Sequence, residues 1–359
     1  MTDVNGVLCC CEYYDLNQER NHILACCCNC EDLDQAFDNI ITSHAISHKT
    51  KKGIINTMQD RLRIPWKGGA KQVAFDAVMP VFILPLMLLI ASMSLWWTIF
   101  SFTTVAIFLG FISNFLIKAI PRTKFFFMWT LTSIVILYII FEFIVIPFLE
   151  ILLEENIALS IFIFGFIFCL YLMKSRTKNL CQVGDSEAEI GFIGKNNRLH
   201  NCSICQKKIP DKDHHCVWFD CCVGKHNQCL FISALFFAVV ALLYSSNLTL
   251  TSVCHPFKVY KTILLPDDCS EVYILFELGL SFVAAVYSLI LACLLLVLLL
   301  QQLVLVSLGI TLKEWTRFHF TTKLCLGLTA KRQNNRGFLN NWKAIICSSK
   351  YNYSPTGHT

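Results

Sequence analysis

Asp213, His214, His215 and Cys216 put a carboxylate, two imidazoles and a thiol in consecutive positions. A cysteine attacks a carbonyl as its thiolate, and a neighbouring imidazole favours that form. Cys216 has such a neighbour in His214, with Asp213 available to orient the ring. The same residue types also ligate metals, so Asp213, His214 and Cys216 admit a second reading as a metal site. Upstream, Cys202-x-x-Cys205 has the chelate spacing of a zinc knuckle, and His215 and Cys222 supply the types that complete a tetrahedron.

These residues lie on a polar stretch between apolar runs, and composition says what those runs are. Of 359 residues, 55% are hydrophobic and 15% charged, with a mean hydropathy of +0.56, too apolar for a domain with solvated faces. Runs of about 20 apolar residues cross a bilayer as helices. Such runs fall near 79–98, 100–118, 126–149, 156–173, 229–250 and 279–303. The first two read as a helical hairpin, since 40 residues of continuous helix would be about 60 Å long. The expected fold is an all-α polytopic membrane protein of about six transmembrane helices with a small cytosolic cysteine-rich zinc-binding domain. Its parts are a cytosolic cysteine-rich N-terminal segment (1–78), helices 1–4 (79–173), the cysteine-rich domain (174–228), helices 5–6 (229–309) enclosing a lumenal loop (251–271), and a cytosolic tail (310–359).

Charge sets the orientation. Lys49, Lys51, Lys52, Arg61, Arg63, Lys67 and Lys71 precede the first run, and Lys174, Arg176 and Lys178 follow the fourth, whereas Glu150, Glu154 and Glu155 follow the third. The positive-inside tendency then places both termini and 174–228 in the cytosol. The net charge of +5 contains no basic block suited to DNA or RNA, so no nucleic-acid partner is expected. No cleavable signal peptide is visible. Among the 20 cysteines, Cys254 and Cys269 fall in the lumenal loop, either as a disulfide or as two free thiols. Cys9, Cys10, Cys11, Cys26, Cys27, Cys28 and Cys30 form a cluster that reads as lipidated, metal-binding or partner-binding, lipidation being preferred because adjacent thiols chelate poorly.

The tetrad, Trp218, the Cys222-Val223-Gly224 run and Asn227-x-x-x-Phe231 resemble the cysteine-rich domain of DHHC-type protein S-palmitoyltransferases over about 30 residues. Thr311-x-x-Glu314 resembles that family's Thr-Thr-x-Glu motif, with Leu312 in place of the second threonine. Gly337-x-x-x-Asn341-Trp342 resembles its C-terminal element, and Cys9-Cys10-Cys11 with Arg61–Trp66 resembles a six-span animal subgroup. The resemblance implies Cys216 as the acyl-accepting nucleophile, His214 as its base and Asp213 as orienter, with Cys202, Cys205, His215 and Cys222 holding zinc. It implies palmitoyl-CoA or a similar acyl-CoA as donor, cysteines of membrane-associated client proteins as acceptors, and residence in the bilayer of the Golgi or endoplasmic reticulum, or of the plasma membrane.

The chain departs from the family at the positions of a second zinc site, which read Ala188, Gly191, Asn201 and Lys208. All four ligands are changed there while the other four-ligand set is intact, so one ion is expected. An irregular replacement from Cys181, His200, Cys221 and Cys229 is the alternative. Two other family positions read Asn179-Leu180-Cys181 and Cys221, which admits a catalytically weak or silent membrane scaffold as the competing function. Thr311 and Glu314 also read as a plain helix cap, Asn341 and Trp342 as interfacial residues, and Lys207, Lys208, Lys212 and Lys225 as either a phosphate-binding or a solvated face. A zinc-binding transporter ranks last, because only Glu142 and Glu277 lie within the spans.

Overall fold

The computed structural model describes residues 7–15, 17–24, 31–45, 47–119, 123–149, 151–183, 199–202, 204–205, 208–260, 263–317 and 337–348. Among the described residues five helices are long and apolar enough to cross a membrane: α4 (Leu95–Ala119), α5 (Phe125–Leu149), α6 (Leu153–Val183), α7 (Gln228–Val253) and α8 (Phe276–Leu308). They are preceded by α1 (Glu31–Ile41), α2 (His48–Arg61) and α3 (Phe75–Ala91), the last apolar but only 17 residues long. Two short helices follow, α9 (Leu312–Arg317) and α10 (Phe338–Ser348).

The run expected as helices 79–98 and 100–118 is divided instead at Ser92–Ser94. Ser92 bonds back to the Leu89 carbonyl, and Thr98 donates to the carbonyls of Ala91 and Ser94. Side-chain hydroxyls thus satisfy the backbone at a break that an apolar count does not register. A π turn at Phe141–Val145 interrupts α5 at Glu142, whose carboxylate accepts from Asn156 Nδ2 at 3.3 Å. Helix α6 continues ten residues past the expected end at 173, carrying Arg176 and Thr177 beyond its apolar run.

The chain divides into two compact units, Met1–Pro85 with Thr104–Thr132, and Leu86–Thr103 with Ser133–Thr359. In the first, strands β1 (Glu12–Tyr14) and β2 (Arg20–His22) form one hairpin and β3 (Arg63–Ile64) and β4 (Lys71–Gln72) another. Asp76 accepts from Thr123 Oγ1 and the Lys124 backbone, at 2.8 and 2.7 Å, so its buried charge is hydrogen bonded.

In the second unit α7 packs on both α6 and α8. Ser246 Oγ donates to the Ala285 carbonyl across the α7–α8 contact, and Gly279 lets α8 come close to Ser92, whose carbonyl would lie 2.7 Å from an added Cβ. Beyond α7, β9 (His255–Tyr260) pairs with β10 (Ile263–Asp268), and a Cys254–Cys269 disulfide closes that loop. The pairing left open by the sequence is therefore a bond. Toward the other end of the bundle, β5 (Leu199–Asn201) pairs with β6 (Lys208–Pro210), and β7 (Lys212–Cys216) with β8 (Cys221–Gly224). The tetrad lies on β7 of the second of these hairpins.

Candidate active site and zinc centre

Strand periodicity separates the two histidines. Successive side chains on β7 alternate between faces, so His214 and Cys216 share one and His215 takes the other. His215 stands opposite Cys222 on β8, while Cys202 and Cys205 come from the β5–β6 turn. Their four ligand atoms lie within 4.8 Å of one another, the one such group among the described residues.

His215 Nδ1 is 3.9, 3.3 and 3.4 Å from the sulfurs of Cys202, Cys205 and Cys222, and the Cys205 and Cys222 sulfurs are 3.6 Å apart. A tetrahedral zinc with S and N ligands requires edges of about 3.6–3.8 Å, so the donors fit the ion. Cys205 is lowered to about 4, first by the Cys222 hydrogen bond and then by His215, while Cys222 is pushed up. Two crowded thiols thus share a proton where a cation would hold both as thiolates. Ile209, fully buried against Cys202 and Cys222, closes the centre from water.

Of the four positions read as a lost second site, two lie among the described residues. Asn201 and Lys208 are cross-strand partners in the β5–β6 hairpin, and both are exposed. Backbone pairing closes the hairpin at that place. Ala188 and Gly191 lie outside the described residues, as do Lys207 and the side chain of Cys181; among the described residues His200, Cys221 and Cys229 form no ligand group. Lys225 pairs with Asp211 at 3.1 Å and is half exposed, which favours the solvated-face reading for it.

On the other face, a register irregularity between Lys212 and His214 turns Asp213 so that its Oδ2 meets His214 Nδ1 at 2.9 Å. Burial works against charge on His214, but hydrogen bonds with Asp213 and Cys216 and the charges of both outweigh it and raise its pKa to about 9. The imidazole is therefore cationic at neutral pH. Cys221, opposite Cys216, is pushed up to about 12, first by burial and then by the charge of Cys216, and remains a thiol.

Asp213 is itself held. Its Oδ1 accepts from the backbone N–H of Leu312 at 2.6 Å, the first residue of α9. Thr311 and Glu314 form a reciprocal capping box at that helix start, Thr311 N to Glu314 Oε2 at 2.9 Å and Glu314 N to Thr311 Oγ1 at 3.3 Å. The plain-cap reading and the motif reading coincide: the cap aims a backbone donor at the carboxylate, so a leucine serves where the family has threonine.

The approach to α9 is set by the end of α8. Gly309 adopts φ 65°, with Gly309 N bonding to the Val306 carbonyl and Ile310 N to that of Leu305, a Schellman turn. The next free carbonyl, Ser307, accepts from Asn341 Nδ2 at 3.1 Å, while Trp342 Nε1 bonds the Ser307 hydroxyl at 3.2 Å. Asn341 and Trp342 are thus more than interfacial residues; they fix α10 against the C-terminus of α8.

Asn227 ties the hairpins to the helices. Fully buried, it accepts from Gly224 N at 3.0 Å and donates to the Cys222 carbonyl and to Thr177 Oγ1 on α6, at 2.9 and 3.0 Å. Gly224 has no space for a side chain, since a Cβ would lie 2.9 Å from the Asp211 carbonyl. A line of rings runs from His214 to Phe231 (5.5 Å), Phe219 (5.7 Å) and Phe166 (5.9 Å), joining the site to α7 and α6. Sequence reasoning gave Phe219, Phe166, Thr177 and Ser307 no role; helical periodicity in an apolar run cannot single them out.

A half-buried thiol beside a charged imidazole, at the edge of membrane-length helices, is equipment for moving acyl groups on and off sulfur, and this places the protein among cysteine acyltransferases. Comparison with known proteins narrows the class. The DHHC palmitoyltransferase family model matches residues 188–319. The chain is 29% identical to mouse (Mus musculus) palmitoyltransferase ZDHHC23, over 93% of this chain and 92% of the relative, and 28% identical to zebrafish (Danio rerio) palmitoyltransferase ZDHHC23-B, over 99% and 96%. Human palmitoyltransferase ZDHHC23 is 28% identical over 86% of this chain and 88% of its own. Residues 188–319 thus carry a DHHC palmitoyltransferase domain, and the chain is similar over most of its length to DHHC-type protein S-palmitoyltransferases.

Proposed function

We propose that this S-palmitoyltransferase works through Cys216. The observation that carries the reading is the hydrogen-bonded line Leu312 N–Asp213–His214 leading to the Cys216 thiol. With the proton held on His214, the Cys216 sulfur attacks as thiolate the carbonyl of palmitoyl-CoA or a similar acyl-CoA. The new S–C bond forms as the bond to the coenzyme sulfur breaks, and the charged His214 returns a proton to that leaving thiolate. A client cysteine then gives its proton to the neutral His214 and attacks the Cys216 thioester; its S–C bond forms as the bond to Cys216 breaks, leaving the Cys216 thiolate beside a charged His214. Exchange between thioesters is nearly isoenergetic, so the site needs only to position and to move one proton.

Cys202, Cys205, His215 and Cys222 would hold one zinc ion, which when bound staples the two hairpins and fixes the strand from which Cys216 projects. Membrane-proximal cysteines are the suitable acceptors, because an acyl chain gains about 0.8 kcal/mol per methylene by remaining in lipid. The tetrad is read as cytosolic and the 251–271 loop as lumenal. The basic residues after α6 support that orientation, as does a disulfide at the end of α7 opposite the tetrad. An oxidising lumen on that side suits a Golgi or endoplasmic reticulum membrane, and the plasma membrane has the same sidedness.

Purified protein incubated with alkynyl palmitoyl-CoA is expected to gain a hydroxylamine-sensitive adduct that Cys216→Ser lacks, with transfer to a client peptide lost as well. Equal client transfer by the serine variant would refute the assignment. No observation here favours the silent-scaffold alternative.

A further inference from the structure

The proposed reaction leaves one group of thiols unused, in the first compact unit. Cys9, Cys10 and Cys11 lie at the start of the β1–β2 hairpin, and the backbone of each is tied down. Cys9 O accepts from Glu12 N at 3.0 Å and Cys9 N donates to Glu12 Oε2 at 2.8 Å; Cys10 O accepts from Trp66 N at 3.2 Å, and Cys11 O from Ile23 N at 3.0 Å. The hairpin is locked under its far side. Tyr13 is buried with the Arg63 guanidinium 4.0 Å over its ring, its hydroxyl accepts from Arg61 at 2.8 Å, and Arg63 pairs with Asp60 at 2.6 Å. Gly69 admits the closure, as a Cβ there would stand 3.1 Å from the Glu12 carbonyl.

On this held backbone the Cys9 and Cys10 side chains are exposed, and the Cys10 and Cys11 sulfurs are 3.6 Å apart. Among the described residues they form no ligand group with His, Asp or Glu neighbours. Their distance from lipid is set by the chain. The Trp66 loop that bonds Cys10 connects β3 to β4, and α3, the first apolar helix, begins at Phe75, three residues after β4 ends at Gln72. Three residues span at most about 10 Å. Ile64 and Trp66 are more than half exposed beside the thiols, and Lys71 Nζ lies 4.7 Å over the Trp66 ring, the aromatic-and-cation pairing that suits a headgroup layer.

We infer that Cys9, Cys10 and Cys11 are a modification site of this protein, accepting a fatty acyl group in thioester linkage from acyl-Cys216. The inference rests on Cys216 being the acyl carrier. In the step, a thiolate at Cys9 or Cys10 attacks the Cys216 thioester carbonyl, its S–C bond forms, the bond to Cys216 Sγ breaks, and the Cys216 thiolate leaves to regain its proton through His214. No oxidant or further reactant is consumed. Cys10 is held above the ordinary thiol value, first by its hydrogen bond with Cys11 and then by the charge of Cys11.

The test uses the full chain in lipid nanodiscs with alkynyl palmitoyl-CoA, adducts being located by peptide mass spectrometry. Expected are an adduct at Cys216 and a second within Cys9–Cys11. The combined variant Cys9→Ser, Cys10→Ser, Cys11→Ser loses only the second and still acylates a client peptide; Cys216→Ser loses both. Acylated Cys216 with free, alkylatable Cys9–Cys11 overturns this inference and leaves the proposed function standing. Equal labelling of Cys9–Cys11 in Cys216→Ser overturns Cys216 as donor, and no adduct at any cysteine overturns both.

Discussion

At the scale of single residues, the chemistry turns on how one imidazole is charged. His214 would lose charge through burial, but Asp213 and Cys216 retain its proton up to about 9, against 6.5 in the unfolded chain. Because the folded value is the higher, this interaction stabilises the fold fully below about pH 6.5 and is lost as pH rises through about 9. Thermal unfolding of the detergent-solubilised protein should therefore show a midpoint that falls across this window, and Asp213→Asn should flatten the fall. An unchanged slope in that variant would remove Asp213 as the source of the charge. His215, one position along, faces Cys202, Cys205 and Cys222 instead; the alternation of a strand gives adjacent histidines separate work.

At the scale of elements, the start of a helix supplies the donor that holds the site's carboxylate. Leu312 is the first residue of α9, where proline is tolerated and where its missing N–H is the one aimed at Asp213. Leu312→Pro should thus keep α9 while deleting that hydrogen bond. Charge-assisted hydrogen bonds contribute about 1.5–3 kcal/mol, so a fall of roughly 10- to 100-fold in the rate of acyl-Cys216 formation is expected, with Leu312→Thr near wild type. Equal rates for proline and leucine would show that Asp213 does not need α9. The two hairpins make a second prediction at this scale. With Asn201 and Lys208 as ordinary cross-strand partners, elemental analysis should give one zinc per chain, abolished by Cys205→Ser. Two ions per chain would require ligands from segments other than those described.

At the scale of the molecule, two ends of one bundle face different chemistry. Helix α7 carries the tetrad hairpins at its start and Cys254 at its end, where the bond to Cys269 closes a loop of 15 residues. Such a closure contributes about 3 kcal/mol in the chain-entropy model. Cys254→Ser with Cys269→Ser should lower the unfolding midpoint and leave the Cys216 adduct intact at low temperature. Maleimide-polyethylene glycol added to sealed vesicles should reach neither of these cysteines without reductant; labelling of both under nonreducing conditions would exclude the bond.

Composition and spacing by themselves determined the membrane class, the location of the chemistry and the ligand types. Apolar length is a one-dimensional property, and a Cys-x-x-Cys chelate and an adjacent Asp-His-His-Cys are local in the chain. What only the tertiary structure decided depends on contacts between distant residues. It divided the first apolar run at Ser92 through hydroxyl-to-carbonyl bonds, and joined Leu312 to Asp213 across the chain by way of the Gly309 turn and the Thr311–Glu314 cap. It also gave Asn227, Asn341 and the Phe231–Phe219–Phe166 line their work of fixing the hairpins and the tail against the helices. A sequence states which donors and acceptors exist; burial, by making every unpaired one costly, decides which of them must meet.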